Sequence, residues 1–425
     1  IRETTCSFLV GKGDRILSRL APETPGHCRG AVVNRAARAI EDFFQQRYDK
    51  DAIFLPSGRL GLFLAFREWL QPGDRLLMSP INDDVVLFTV LAAGLIPVIG
   101  PLDARTGNLD PDAVDSATWK SLRGVLTTNL YGIPDRMDRL VQICRTYGLL
   151  LVEDACQALD SSFQGTRIGR FSSVAVFSLT KHVAGAGGVL TFSEGDRRRS
   201  LVSRAQEEIL CSSSPAAIRA RFAHALVRLA ETTGTAALLR RIKRRLLPPQ
   251  TRRPGHRMEY SVQHVLNMLE AGGGLGRFDG WVGIDHRAYR MAVRNSDQVS
   301  TLRELQNFEQ NRQRRLHGTK RLLELGLASP DVPLPQDGAL FRVPLFVRNR
   351  EAVLRSFAAR SLHLDYIYDP PLTIYVSPRL AIKLSSRPEA ERWSHNVLPV
   401  DPLQADKFIS LLREIPALVS VANCH

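Results

Sequence analysis

The chain has no Cys-x-x-Cys spacing, no internal repeat and no uninterrupted apolar run long enough for an ordinary membrane span. Its cysteines, Cys6, Cys28, Cys144, Cys156, Cys211 and Cys424, are scattered. That pattern excludes a dense disulfide framework and a zinc site, and it favours reduced thiols in a cytoplasmic protein with no structural metal. No secretory signal is visible; the chain opens at Ile1 without a methionine, so a processed or absent upstream segment stays open. The stretch Val85–Leu102 carries no charge and approaches the roughly 18 residues of a minimal membrane helix. Gly94 and Pro97 interrupt it, however, and Val98-Ile99 continue in strand-like fashion. It reads as a buried helix followed by a core strand.

What is present is the make-up of a sizeable enzyme. A chain of 425 residues with 44% hydrophobic content can bury a large core in two or three domains. Short apolar runs at Gly124-Val125-Leu126-Thr127, Leu149-Leu150-Leu151-Val152 and Val174-Ala175-Val176-Phe177 are bounded by polar residues or glycine, and Met137–Tyr147 has helical spacing. The alternation predicts an α/β fold with a mostly parallel sheet, which binds ligands at the C-terminal ends of its strands.

Lys181 lies in Phe177-Ser178-Leu179-Thr180-Lys181-His182-Val183-Ala184-Gly185-Ala186-Gly187-Gly188, and upstream an apolar run ends in Glu153-Asp154. A lysine amine and a carboxylate delivered by successive strands suit pyridoxal 5'-phosphate, which needs an amine to hold its aldehyde and a carboxylate to keep its ring nitrogen protonated. Taken singly, each has a simpler reading: a lysine in a solvated loop, an aspartate capping a helix. The ordered set decides otherwise. Leu149 to Ala158, then Gly165, Gly169, Phe171 and Ser172, then Val174 to Lys181 with Gly187-Gly188, resembles the sugar aminotransferases of DegT/StrS type, a branch of the fold type I PLP-dependent enzymes.

The resemblance extends to Leu55-Pro56-Ser57-Gly58-Arg59-Leu60-Gly61-Leu62, similar to the family's phosphate-binding entry into a helix. It continues in Gln71-Pro72-Gly73-Asp74 with the following strand, Gly94–Ile99, Asn129–Pro134, Tyr289-Arg290-Met291 and Val397–Pro402. It implies that Lys181 forms the internal aldimine and shuttles a proton, that Asp154 pairs with the ring nitrogen, and that Gln157 packs or bonds near the ring. It further implies that Ser57, Gly58, Arg59 and Ser178 hold the phosphate, at a homodimer interface. The chain departs from the family pattern at Arg59 for Thr, at Asn129 for His and at Ala288 for Asn. It also has no stacking aromatic in Ile81-Asn82-Asp83-Asp84 and a short Ser178–Lys181 spacing.

Between Arg197 and Arg257 there are fourteen Arg and one Lys against three Glu, which is +12 of the formal +14. Apolar residues recur among them at helix-like spacing. The segment reads as a basic helical insertion that docks on an anionic membrane surface or an acidic carrier, or else as helices whose arginines cover a solvated face. Nucleic acid is disfavoured, because Phe222 and Tyr260 are the nearby aromatics and no binding motif is present. Ala271–Gly280 reads as a mobile loop, either a lid or a linker.

The expected organisation is a large PLP-binding domain with its N-terminal segment (1–196), the insertion with its Gly-rich loop (197–284) and a smaller C-terminal α+β domain (285–425). The resemblance implies an aminotransferase, and the cysteine usage a cytoplasmic one, peripheral on the inner membrane face if the insertion docks there. It would move an amino group from an amino acid such as glutamate to a keto group on a nucleotide- or phosphate-linked sugar. Two alternatives stay open: a different PLP reaction (decarboxylation, elimination or C–C chemistry) on a non-sugar substrate, motivated by the missing aromatic and Ala288, and a non-catalytic regulator or scaffold of the same fold, against which the retained Lys181 and Asp154 speak.

Overall fold

A computed structural model describes residues 35–210, 257–278, 289–329, 332, 338–360, 362, 364, 368–384 and 388–414. The first helix, α1 (Arg35–Tyr48), buries Ala36, Ile40, Phe44 and Tyr48, a single stripe at four-residue spacing. It leads into β1 (Asp51–Leu55), α2 (Gly58–Trp69), β2 (Arg75–Met78), α3 (Asp84–Ala92) and β3 (Ile96–Ile99). Every residue of α3 is buried. That is why Val85–Leu102 reads as continuously apolar: the helix is enclosed on all sides and its chain then enters the sheet. Among the described residues no helix is long and apolar enough to cross a membrane.

Next come α4 (Ser116–Ser121), β4 (Gly124–Leu126), α5 (Met137–Tyr147), β5 (Leu150–Asp154), the small hairpin β6 (Ser162–Phe163) and β7 (Thr166–Arg167), β8 (Val174–Ser178) and β9 (Gly188–Phe192). These strands and a late one, β11 (Ile382–Lys383), form one eight-stranded sheet in the order β1-β9-β8-β5-β4-β2-β3-β11. Every pairing from β8 through to β11 is parallel; β9 runs antiparallel to both β8 and β1. The sheet is covered on both faces, as a mostly parallel sheet requires. One face packs α2 and α3, the other α1 and α5, with Phe44, Tyr48 and Phe177 rings in mutual contact.

Helix α6 (Arg198–Glu208) lies on α2, and α7 (Val262–Glu270) with the short α8 (Leu275–Phe278) packs against α3. The Gly-rich stretch differs from the expected mobile loop. Gly272, Gly273 and Gly274 all take left-handed backbone, the Gly274 N–H donates to the Ala92 carbonyl at 2.7 Å, and Leu275 and Phe278 are buried. The glycines terminate α7 and turn the chain onto the end of α3; Asp279 and Gly280 lie outside the described residues.

In the C-terminal part, α9 (Asn295–Gln306) and α10 (Phe308–Leu323) precede the two-stranded antiparallel sheet of β10 (Val343–Phe346) and β12 (Val397–Val400). Leu322, Leu345, Phe357, Leu398 and Phe408 centre a separate apolar cluster there.

Of the basic stretch 197–257, residues 211–256 lie outside the described residues. Its described arginines mostly have partners: Arg197 pairs with Glu68 and Glu194, Arg198 with Glu41 and Asp51, and Arg204 with Glu68. The described arginines there thus pair with acidic groups beside a helix packed on α2; the apolar spacing of 218–247 lies outside the described residues.

Candidate active site

The strand ends define where chemistry can occur. Asp154 is the last residue of β5 and Ser178 the last of β8. Thr127 and Thr128 follow β4, Asn82 and Asp83 follow β2, and Ser57 follows β1. A cavity of about 420 Å³ opens over these ends, and all the residues singled out in the sequence line it: Ser57, Gly58, Arg59, Asp154, Gln157, Ser178 and Lys181.

Asp154 is held from several sides. Its backbone N–H donates to Thr127 Oγ1 at 3.1 Å, its carbonyl accepts from Asn129 Nδ2 at 3.1 Å, and its Oδ1 accepts the Cys156 N–H at 3.0 Å. Asn129, which replaces the family's His, is thereby a scaffold for the carboxylate. Burial raises the Asp154 pKa, while the Lys181 ammonium and the Cys156 N–H act against the rise. The neighbouring Glu153 faces the other way and ties down the chain beyond the hairpin, accepting the Gly169 N–H at 2.5 Å and the Ser172 N–H at 2.8 Å.

The segment carrying Lys181 is anchored by His182, whose Nε2 lies 2.7 Å from the Gln157 carbonyl. Burial first, then Arg315, depress that imidazole to about 3, so it is neutral. The Ala186 N–H donates to Thr301 Oγ1 on α9 at 2.8 Å. Lys181 Nζ stands 5.9 Å from the Phe341 ring centre.

The N-terminus of α2 forms the third wall. Close approach here depends on two glycines: a Cβ on Gly188 would come within 2.4 Å of the Gly58 nitrogen, and one on Gly58 within 2.7 Å of Cys156 Sγ. Ser57 caps the helix, accepting the Leu60 N–H at 3.2 Å and donating to the Tyr289 carbonyl at 2.8 Å, so its one hydroxyl hydrogen is engaged. Donors for an anion remain in the first-turn amides of Gly58 and Arg59, which have no intrahelical acceptor. Ser178 Oγ and Thr180 Oγ1 lie 3.0 Å apart, and since one hydrogen serves that bond, the other is free to donate.

Arg59 stacks on the Tyr289 ring at 3.7 Å and faces Asp83 at 3.8 Å. Burial alone would raise the Asp83 carboxyl, but Arg59, Asp84 and the Val85 N–H together hold it below the usual range; burial and the Asp83 charge push Asp84 up. Residues 81–84 hold no aromatic; the tyrosines that line the cavity, Tyr289 and Tyr368, come from the C-terminal half. Neither role was readable from the sequence, although Tyr368 directly precedes the turn-forming Asp369-Pro370-Pro371. Ala288 lies outside the described residues. Among the described residues no group of His, Cys, Asp and Glu is arranged to hold a metal.

An open, mostly parallel sheet that gathers a lysine, a buried carboxylate and a helix N-terminus at its strand ends forms a ligand site in the crevice there. Residues 26–205 match the model of the DegT/DnrJ/EryC1/StrS aminotransferase family. Among curated relatives, the spore coat polysaccharide biosynthesis protein SpsC of Bacillus subtilis is 30% identical over 146 residues, 33% of this chain and 38% of that protein. The dTDP-4-dehydro-2,3,6-trideoxy-D-glucose 4-aminotransferase of Saccharopolyspora spinosa is 32% identical over 144 residues, 33% of this chain and 37% of that one. The matches thus span well under half of these relatives. Solved structures extend the likeness of fold to nearly the whole chain. A DegT DnrJ EryC1 StrS aminotransferase from Brucella abortus has a TM-score of 0.62 at 15% identity, covering 90% of this chain and 91% of its own. DesV of S. venezuelae has a TM-score of 0.58 at 22% identity, covering 96% and 93%.

Proposed function

We propose that the chain is a PLP-dependent aminotransferase acting on a keto group of a sugar or a related polyhydroxylated intermediate, with an amino acid such as glutamate as donor. The observation that carries this reading is the convergence of Lys181, Asp154 and the α2 N-terminus on one cavity. The cavity of about 420 Å³ and the first-turn amides of Gly58 and Arg59 offer the space and the donors that a phosphorylated pyridine ring requires, so the residues fit the cofactor.

Lys181 Nζ would hold the cofactor covalently and, once displaced by a donor amine, take the proton from the donor's α-carbon. Asp154 would hold a proton on the ring nitrogen: in a buried site an anion strongly favours the charged form of the group it faces. The amides of Gly58 and Arg59, the Arg59 guanidinium and the Ser178–Thr180 hydroxyl pair would take the phosphate. When bound, the cofactor supplies the electron sink that stabilises the carbanion left by proton removal. Gln157 lines the wall between Asp154 and Tyr368 and would orient the ring.

The test is a half-reaction. Protein loaded with pyridoxal phosphate and mixed with glutamate, glutamine or alanine should convert to the pyridoxamine form with at least one donor, read by the loss of the visible band. Conversion with none of them would favour a non-transaminating reaction.

The proposal has the chain working as a homodimer, in keeping with the family resemblance. It also includes contact between the surplus positive charge of residues 197–257 and an anionic surface. At about 1 kcal/mol for each basic residue near such a surface, a few would suffice, and the attraction would be screened over roughly 8 Å at physiological salt. Liposomes rich in anionic lipid should therefore pellet the intact chain at low salt, and a variant with Arg240, Arg241, Lys243, Arg244 and Arg245 changed to Gln should pellet less. Equal sedimentation of the two would return the segment to a solvated face.

A further inference from the structure

Tyr368 is buried at the cavity wall in a left-handed backbone conformation, φ 71°. A bulky side chain adopts that geometry at a cost in free energy and keeps it only where its surroundings insist. The surroundings are specific. The Arg257 guanidinium lies 5.6 Å from the Tyr368 ring centre and is itself fixed, donating from Nε to the Pro370 carbonyl at 2.8 Å and from Nη1 to the Asn82 carbonyl at 2.6 Å. In front of the ring, the Tyr368 hydroxyl meets Gln157 Nε2 at 3.1 Å.

The orientation of that amide follows from its other contact. Gln157 Oε1 lies 3.0 Å from the Tyr131 backbone N–H, which can only donate, so the atom there must be the oxygen and the amide nitrogen must face Tyr368. An amide nitrogen only donates. The Tyr368 oxygen is therefore an acceptor in this bond, and its own hydrogen has no acceptor among the described residues. Asp83 and Asp154, together with Tyr131, bear on the hydroxyl electrostatically and Arg257 opposes them; burial leads in keeping it protonated. What remains is a phenol O–H on the wall of a cavity, polarised by the amide behind it and still able to donate.

Resting on the reading of the site as a pyridoxal phosphate site, we propose that Tyr368 is a positioning residue that donates its hydroxyl hydrogen to the anionic phenolic oxygen of the cofactor, with Gln157 as its support. That oxygen neighbours the carbon to which Lys181 would be joined and shares a proton with the lysine nitrogen. A donor to the oxygen stabilises the state that has lost the shared proton, so it lowers the pH at which the visible band of the bound cofactor titrates. Arg59 and Lys181 bear on Asp83, and Asp83, Asp154, Tyr131 and Arg257 bear on Tyr368; all are retained when Tyr368 becomes Phe.

The experiment is a pH titration of the pyridoxal phosphate band in the wild-type protein and in Tyr368→Phe, which keeps the ring over Arg257. The midpoint should move up by about one pH unit, the value of one hydrogen bond to a charged acceptor. A variant that shows the band with an unmoved midpoint overturns the proposal while leaving the cofactor reading intact; a wild-type protein without a Lys181-linked band would instead sink that reading. A second measurement serves if the variant holds the cofactor poorly. The 3-deoxy analogue of pyridoxal phosphate, which lacks the phenolic oxygen, should bind the wild type less tightly than the parent compound and lose most of that discrimination in Tyr368→Phe. Equal discrimination in both proteins overturns the proposal.

Discussion

Lys181→Ala is expected to abolish the covalent attachment of pyridoxal phosphate and to lower turnover by at least about 10⁴-fold, because on the proposed reading one side chain would supply both the tether and the proton-transfer group. Borohydride reduction followed by peptide mapping should label Lys181 in the wild type and no lysine in the variant. The fold should survive. Lys181 is half-buried, and the contacts that shape its segment belong to its neighbours: the His182 imidazole, the Ala186 N–H and the Leu179 carbonyl, which accepts the Gly185 N–H at 3.1 Å. A reduced label on another lysine would remove Lys181 from its role.

Asp154→Asn should retain the fold and lower turnover by about 100-fold or more, the scale seen when one preorganised electrostatic partner is removed from a buried site. The Cys156 N–H can still donate to the amide oxygen, and the backbone contacts to Thr127 and Asn129 are untouched. The charge opposite the ring nitrogen is lost, and with it the reason for that nitrogen to stay protonated. The discriminating measurement is the band of the bound cofactor together with the rate of donor conversion. Wild-type rates in this variant would make the carboxylate a strand-end cap and nothing more.

How far the sequence carried these conclusions varied along the chain. β4, β5 and β8 were legible because buried parallel strands are short, wholly apolar and bounded by polar residues, and β5 and β8 end on chemistry-bearing side chains. The Ser57–Leu62 segment was legible as a helix entry through its likeness to the family's phosphate-binding segment, and Ser57 does cap the helix. β11 was not: Ile382–Lys383 has neither the length nor the composition of a strand, and only its register beside Val98 and Ile99 makes it one. The Gly-rich stretch misled because three glycines suggest freedom when they stand alone, whereas here they satisfy left-handed geometry in a packed turn on α3. Tyr289 and Tyr368 stayed hidden as site residues because they reach the cavity from more than a hundred residues beyond Lys181. The departures at Arg59 and Asn129 were visible; their consequences, an arginine stacked on Tyr289 and an asparagine bracing Asp154, needed the fold.

The two ends of the stretch 211–256 are secured independently of each other. Before it, Leu210 is bridged to Met291 and its amide bonds the Arg290 carbonyl. After it, Arg257 clamps the Asn82 and Pro370 carbonyls while the Met258 N–H meets Asp84 Oδ2 at 2.8 Å. Each stem thus keeps its place by contacts of its own, and Arg257, which holds the Asn82 and Pro370 carbonyls and lies over the Tyr368 ring, ties the return of the chain to the wall of the cavity.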